Sequence, residues 1–255
     1  KVKVPEMTTE KKRSVAESRT DGSKAPRPKD AATLILYRQS SKNTEILMGE
    51  RSARHSFMPN TYVFPGGRVD ASDGRRGGAL FDGSDIPPAR DLRDDVMARL
   101  VRGGCSPARA RALAVAAIRE TFEETGLRLA ETYPMPRRSR VAIWNDFGTT
   151  TCGPDLSKLD YIVRAVTPPS RKKRFNTRFF VADAETLEGE MKDSSELLDL
   201  RWVTIPQALN LDIPLITEHV LGHVDNFLKT RPERDANRPV PMFQMRHGKR
   251  IFGEE

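Results

Sequence analysis

Residues 106–127 read SPARARALAVAAIRETFEETGL, and the fold turns on them. Ser106 is a good N-cap, Pro107 suits the first helical position and Gly126 suits a C-terminal stop. Together they predict a helix over Pro107–Thr125. At roughly 100° per residue, Glu123 and Glu124 flank Glu120 within about 60°. Ala114, Val115, Ile118, Thr121, Phe122 and Thr125 gather on the opposite side as a packing face. Ala116 and Ala117 lie on the acidic side one turn earlier, where small side chains would leave room for a ligand above the carboxylates.

Three carboxylates on one patch repel one another and cluster stably around a cation. Their oxygens suit hard ions such as Mg²⁺ or Mn²⁺. Such an ion neutralises phosphate oxygens and activates water. Taken alone, the helix reads more simply as a solvated face, and the surrounding sequence decides.

Upstream, residues 31–37 and 45–50 read as strands joined across a polar, turn-like spacer, which suggests a hairpin. Tyr62-Val63-Phe64 reads as a strand that stops in the loop Pro65-Gly66-Gly67. Residues 74–104 hold Gly77-Gly78, Pro87-Pro88 and Gly103-Gly104 around a helix-like run at 89–101, which reads as an insertion carrying its own helix. Downstream, strands are expected at 160–166, 175–182 and 197–203, and helices at 206–209 and 214–228. Strands and helices mix without strict βαβ alternation, so an α+β class with a layered mixed sheet is expected. Residues 1–29 are polar, charged and proline-bearing and read as a flexible tail, leaving 30–255 as one domain.

The chain carries 43 Lys and Arg against 35 Asp and Glu, a formal net charge of +8, which suits an anionic ligand. Most local runs, including Arg171-Lys172-Lys173-Arg174, read as solvated surface. No basic stretch is interleaved with aromatics in the RNA-binding manner, so a nucleic-acid partner is not expected. Cys105 and Cys152 form no CxxC pair, which argues against a zinc or redox motif. His219 and His223 stand at i, i+4 without an evident third ligand, and read as helix surface or interface. Trp144 and Trp202 read as core or near-core. The longest apolar run, residues 112–118, is far too short to span a bilayer. With no secretory, transit or peroxisomal signal read, a cytoplasmic protein without a membrane partner is expected.

Here the residues resemble the Nudix hydrolase family, whose motif reads G-x5-E-x7-R-E-U-x-E-E-x-G-U, U being a bulky aliphatic. Gly67 and Asp73 fill the first half, and Arg119-Glu120-Thr121-Phe122-Glu123-Glu124-Thr125-Gly126-Leu127 the second. Phe64-Pro65-Gly66-Gly67 matches the usual lead-in. Asp73 replaces a Glu, which implies an ion pair with Arg119 that is weaker or altered in geometry. Thr121 replaces an aliphatic. The seven residues before the Arg become positions 74–118, and an insertion there resembles one branch that includes coenzyme A diphosphatases of the peroxisomal mammalian kind. Members cleaving coenzyme A carry L-L-T-x-R-[SA]-x3-R-x3-G-x3-F-P-G-G. Leu47-Met48-Gly49-Glu50-Arg51-Ser52 matches its register, while Ser56 and Asn60 depart from its second Arg and its Gly. Arg174-Phe175-Asn176-Thr177-Arg178-Phe179-Phe180 is similar to a strand of the same branch, and the resemblance covers residues 31–209.

The resemblance implies a Nudix-type α/β/α sandwich with a helical insertion inside the motif. It implies a pyrophosphohydrolase using Mg²⁺ or Mn²⁺ on a small nucleotide substrate. Coenzyme A or acyl-coenzyme A leads, giving 3′,5′-ADP and a phosphopantetheine. ADP-ribose, NADH or capped RNA, and a non-catalytic nucleotide-binding module, are the alternatives. Glu120, Glu123, Glu124 and the Gly66 carbonyl would hold metal, with Glu196 as a further acid. Arg119 would hold the loop against the helix. Glu120, Glu190 and Glu196 are candidate bases. Arg51, Arg54 and Arg174 are candidate substrate contacts. The insertion is placed for a pocket wall or a homodimer contact.

Overall fold

The computed structural model describes residues 25–40, 43–54, 58–74, 90–132, 142–148, 152–246 and 249–255. Most of the expected tail and residues 75–89 of the expected insertion lie outside the described residues.

The elements follow in chain order. β1 (Lys29–Gln39) and β2 (Thr44–Arg51) pair antiparallel, as the hairpin reading expects. β3 (Tyr62–Val63), β4 (Gly66–Arg68) and a 3₁₀ turn at Ala71–Asp73 come next. Then come α1 (Asp94–Arg102), α2 (Pro107–Thr125), β5 (Arg128–Thr132), α3 (Ala142–Phe147) and β6 (Cys152–Pro154). β7 (Asp160–Val166), β8 (Phe175–Asp183), β9 (Leu187–Glu188) and β10 (Leu197–Thr204) follow. The described chain finishes with α4 (Ile205–Asn210), α5 (Leu215–Thr230), β11 (Pro241–Arg246) and β12 (Lys249–Glu254).

The main sheet runs β10-β2-β1-β8-β7-β11-β12, with β3 on β2 and β4 on β1. β1–β8 and β7–β11 are parallel; the other pairs are antiparallel. β5, β6 and β9 form a separate small sheet. Side chains alternate across a strand, so β1 feeds two cores. Ala32, Leu34 and Leu36 join Leu113, Ala114, Val115 and Ile118 of α2 on one face. Ile35 and Tyr37 join Val220, Leu221 and Val224 of α5 on the other. Helix, mixed sheet and helix thus stack as the α/β/α sandwich that the resemblance implies.

α2 has the expected bounds, and its caps are the expected ones. The Ser106 hydroxyl accepts from the Arg109 N–H at 3.3 Å, and Gly126 takes the left-handed conformation at φ 75°. A Cβ there would also stand 2.6 Å from the Glu190 carbonyl. Ala116 and Ala117, expected to leave space above the acids, are fully buried instead. Their small size lets α2 lie close to the sheet. The insertion's helix starts at Asp94 rather than at residue 89. Leu92, Val96 and Leu100 put it into the core beside α2. Its described part therefore belongs to the core, not to a pocket wall. β5, β6, β9 and the β11–β12 hairpin were not anticipated.

Candidate active site

The acids of α2 meet the loop after β3 because the backbone there comes very close. A Cβ on Gly67 would sit 2.4 Å from the Glu120 Cδ, and one on Gly66 2.6 Å from the Ala32 carbonyl. Only glycine permits both approaches. The Gly66 N–H donates to Glu124 Oε2 at 2.8 Å, tying loop to helix.

Arg119 locks the motif's two halves together. Its Nε and Nη2 donate to the two oxygens of buried Asp73 at 2.6 and 2.8 Å, and Nη2 also reaches the Arg68 carbonyl at 3.1 Å. The shorter acid therefore forms a full bidentate pair, not a weakened one. The 3₁₀ turn delivers it: the Asp70 N–H donates back to Asp73 Oδ2 at 2.8 Å. Arg119 Nη1 stands 3.0 Å from Glu120 Oε1 and 3.1 Å from Glu123 Oε1. Burial alone would lower the Arg119 pKa; the bond to Asp73 and the charges of Glu120, Asp73 and Glu123 raise it instead.

Burial pushes the Glu124 carboxyl up to about 8, opposed by the Gly66 N–H and Arg51 and aided by Glu120 and Glu196. Burial also pushes Glu120 up to about 7; Arg119 pulls it down, and Glu123 and Asp73 push it further up. Burial lowers the Arg51 pKa, while the charges of Glu124, Glu196 and Glu120 raise it. That places Arg51, half-buried at the end of β2, among three of the acids.

These groups occupy one end of an open cleft of about 1010 Å³. Arg51, Gly66, Arg119, Glu120, Glu123 and Glu196 line it, as does Arg174. Arg54 and Glu190 do not. Arg54 sits exposed on the turn after β2, its N–H on the Ser52 hydroxyl at 3.4 Å. Glu190 follows β9, with its carbonyl beside Gly126. Arg174 is partly committed to structure, its guanidinium donating to the Thr167 carbonyl at 3.0 Å and the Pro26 carbonyl at 2.8 Å. Among the sequence-selected positions, one cleft thus gathers Gly66, Arg119, Glu120, Glu123, Arg51, Glu196 and Arg174, while Glu124 is buried on the Gly66 N–H and is not on the lining.

The far end of the cleft holds residues that sequence reasoning did not select for it: Phe243 and Phe252 of the terminal hairpin, with His219 of α5. For Phe243 the sequence signal is the short alternation Phe243-Gln244-Met245-Arg246, and for His219 its i, i+4 spacing with His223. His219 stacks on Phe243 (centroids 5.4 Å apart, planes at 21°), so the expected helix-surface histidine is part of a cleft wall.

The donor set at the acidic end fits a divalent cation in chemistry and charge. All its side-chain donors are hard oxygens. Asp73, Glu120, Glu123, Glu124 and Glu196 face Arg51 and Arg119, leaving acid in excess. Among the described residues no three His, Cys, Asp or Glu side chains already converge on one point. Arg119 draws Glu120 and Glu123 toward itself instead.

A sandwich with paired helix acids, a Gly-Gly loop against them and an Arg–Asp clamp defines a Nudix hydrolase. The model of the NUDT19 Nudix domain matches residues 22–149, half of the chain, and the chain belongs to that family. Nudix hydrolases generally use divalent metal ions and bind small nucleotide substrates. The chain is similar to the "Acyl-coenzyme A diphosphatase NUDT19" of Xenopus laevis, 24% identical over 71% of this chain and 63% of that protein. It is also similar to the "Putative nudix hydrolase 7" of Caenorhabditis elegans, 24% identical over 69% of this chain and 51% of that protein. The chain thus spans between half and two thirds of these relatives. A Nudix hydrolase structure from Alicyclobacillus acidocaldarius superposes with a TM-score of 0.55 at 24% identity, covering 80% of this chain and 96% of the other. That likeness bears on the fold. Among the described residues, no helix is long and apolar enough to cross a membrane.

Proposed function

We propose that this chain is a metal-dependent diphosphatase of coenzyme A or acyl-coenzyme A, releasing 3′,5′-ADP and a phosphopantetheine. One observation carries the reading: a single cleft joins Glu120 and Glu123 of α2 and Arg51 to the basic loop between β7 and β8, with Arg171, Lys172, Lys173 and Arg174 all on its lining. Coenzyme A carries a diphosphate and a separate 3′-phosphate, and a cleft with two charged regions suits both. Guanidinium–phosphate hydrogen bonds are strong and directional. The acyl-coenzyme A diphosphatase among the relatives supports the same substrate class.

Glu120, Glu123 and Glu124 would hold the ion, Mg²⁺ or Mn²⁺, with the Gly66 carbonyl beside them. Bound there, a divalent ion supplies neutralisation of the diphosphate and a more acidic attacking water. Arg119 keeps the loop on the helix through Asp73, so the donor groups stay in place between turnovers. Arg51, on the same lining, would contact the diphosphate. Glu196, exposed on the cleft lining, would take the proton from the attacking water; Glu190 is not on that lining. Arg54 is placed for none of these roles.

The test is a turnover panel with Mg²⁺ and with Mn²⁺, comparing coenzyme A, acetyl-coenzyme A, ADP-ribose, NADH and a capped RNA, with products identified by mass. Preferential release of 3′,5′-ADP is the expected outcome. Turnover of another member with coenzyme A inert would overturn the substrate and leave the chemistry.

A further inference from the structure

The cleft floor is one row of paired residues crossing six strands. Arg68 of β4 pairs with Ala31, Ala31 with Thr177, Thr177 with Ala165, Ala165 with Phe243, and Phe243 with Phe252. All six line the cleft. The row starts beside the Arg119 clamp, since the Arg68 carbonyl accepts from Arg119. It then crosses three small side chains and ends on two phenylalanines. Paired strands lie about 4.8 Å apart, so Ala31 and Phe243 are separated by roughly 14 Å and Arg68 and Phe252 by roughly 24 Å. Small residues mid-row leave a trough; the aromatics close its far end.

That end is a built apolar wall. Phe252 packs edge-on against Phe243 (5.3 Å, 87°) and His219 (5.6 Å, 67°), and its own surface is 61% exposed. Met245, Ile251 and Ile216 line the cleft beside it. A large exposed aromatic with aliphatic neighbours favours removal of an apolar group from water. Methionine adapts to groups of varied shape.

We propose that this wall is a specificity subsite for an apolar acyl group carried at the far end of the substrate's extended arm. The proposal rests on the acidic end being the diphosphate-cutting centre. An arm attached to a diphosphate at β1–β4 must reach about 14 Å or more to touch Phe243. A bare diphosphate cannot do so, whereas an acyl group linked through a long flexible spacer can. The wall lies outside residues 22–149, so it is built by a part of the chain that the family match does not include.

The experiment measures kcat/KM for coenzyme A and its acetyl, octanoyl and palmitoyl thioesters with the full chain, then with Phe252→Ala, Phe252→Leu and Phe243→Ala. The wild type should favour octanoyl over acetyl by roughly tenfold, a part of what burying six methylenes could yield. Phe252→Ala and Phe243→Ala should flatten that ratio to near unity, and Phe252→Leu should restore most of it. A flat wild-type profile, or one that survives both alanine variants, overturns the subsite. So does a Phe252→Ala variant that breaks a dimer in sedimentation while slowing every thioester equally, since the wall then joins two copies. If nothing turns over, equilibrium binding of octanoyl-coenzyme A against coenzyme A decides. A Phe252-dependent preference keeps the subsite and discards the diphosphatase reading; equal binding discards the subsite.

Discussion

The two ends of the cleft are built on opposite plans. At the acidic end Asp73, Arg119 and Glu124 are buried and held by their neighbours: Gly66 on Glu124, Asp73 on Arg119, Arg68 on Arg119. At the aromatic end Phe252 is largely exposed, on a hairpin at the sheet's edge. Burial makes charge expensive, and that expense raises Glu120 and Glu124 and creates affinity for a cation. Open apolar surface supplies contact without chemistry. On the proposed reading, reaction and selectivity are separable here, and substitutions at the two ends should fail differently.

The largest expected effect is at Glu124. Glu124→Gln should lower metal-dependent turnover by about a thousandfold, in the range seen when one preorganised electrostatic group is removed. The amide oxygen can still accept from the Gly66 N–H, so the metal-free fold should hold. Steady-state kinetics beside thermal melts check both halves; a variant within tenfold of wild type would remove Glu124 from the metal set. Next comes the clamp. Asp73→Asn leaves the buried Arg119 charge without its bidentate partner and should cost about 3–5 kcal/mol, read from the denaturant midpoint. Turnover should fall with it, because the loop loses its hold on the helix.

The Arg119–Asp73 pair also shows how far the sequence carries. The helix bounds, the two flanking strands and the glycine loop were legible because capping, periodicity and turn chemistry are local. That Asp73 would reach Arg119 as fully as a longer acid was not legible. It depends on a 3₁₀ turn whose only sequence trace is Asp70 three positions earlier. Ala116 and Ala117 depart from expectation for a related reason. Helical phase puts them above the acids, yet the sheet closes over that face. The β11–β12 hairpin is not legible in the sequence because its short run pairs with β7, far away in the chain. Arg54 and Arg51 looked equivalent as neighbouring cations, and only the turn after β2 separates them.

A middle-sized effect concerns pH. Glu120 and Glu124 have folded pKa values raised to about 7 and about 8, against an unfolded value near 4.5. Between those limits the folded state binds more protons than the unfolded one. Their contribution to stability is therefore fully present below about pH 4 and is lost as pH rises through 7 and 8. Metal-free protein should lose on the order of a few kcal/mol between pH 5 and 8.5 from these groups. Saturating Mg²⁺ or Mn²⁺ should reverse most of that loss, and Glu124→Gln should reduce the slope. Denaturation midpoints across pH, with and without chelator, read this directly. A metal-free slope of the opposite sign would mean that the acids are not buried together as described.

The smallest effect is the most selective test of the contrast between Arg51 and Arg54. Arg51 lines the cleft and feels the charges of Glu124, Glu196 and Glu120. Arg51→Met keeps much of the stem's packing and removes the cation, so KM for coenzyme A should rise about tenfold, the order of one charge-assisted phosphate contact. Arg54→Ala removes an exposed side chain outside the cleft, and kcat and KM should both stay within about twofold, as for a surface substitution worth no more than 0.5 kcal/mol. Equal losses at the two positions would mean that the turn after β2 folds over bound substrate. The acidic end would then have a wall that moves, and the division between a fixed reaction centre and an open selectivity surface would not hold.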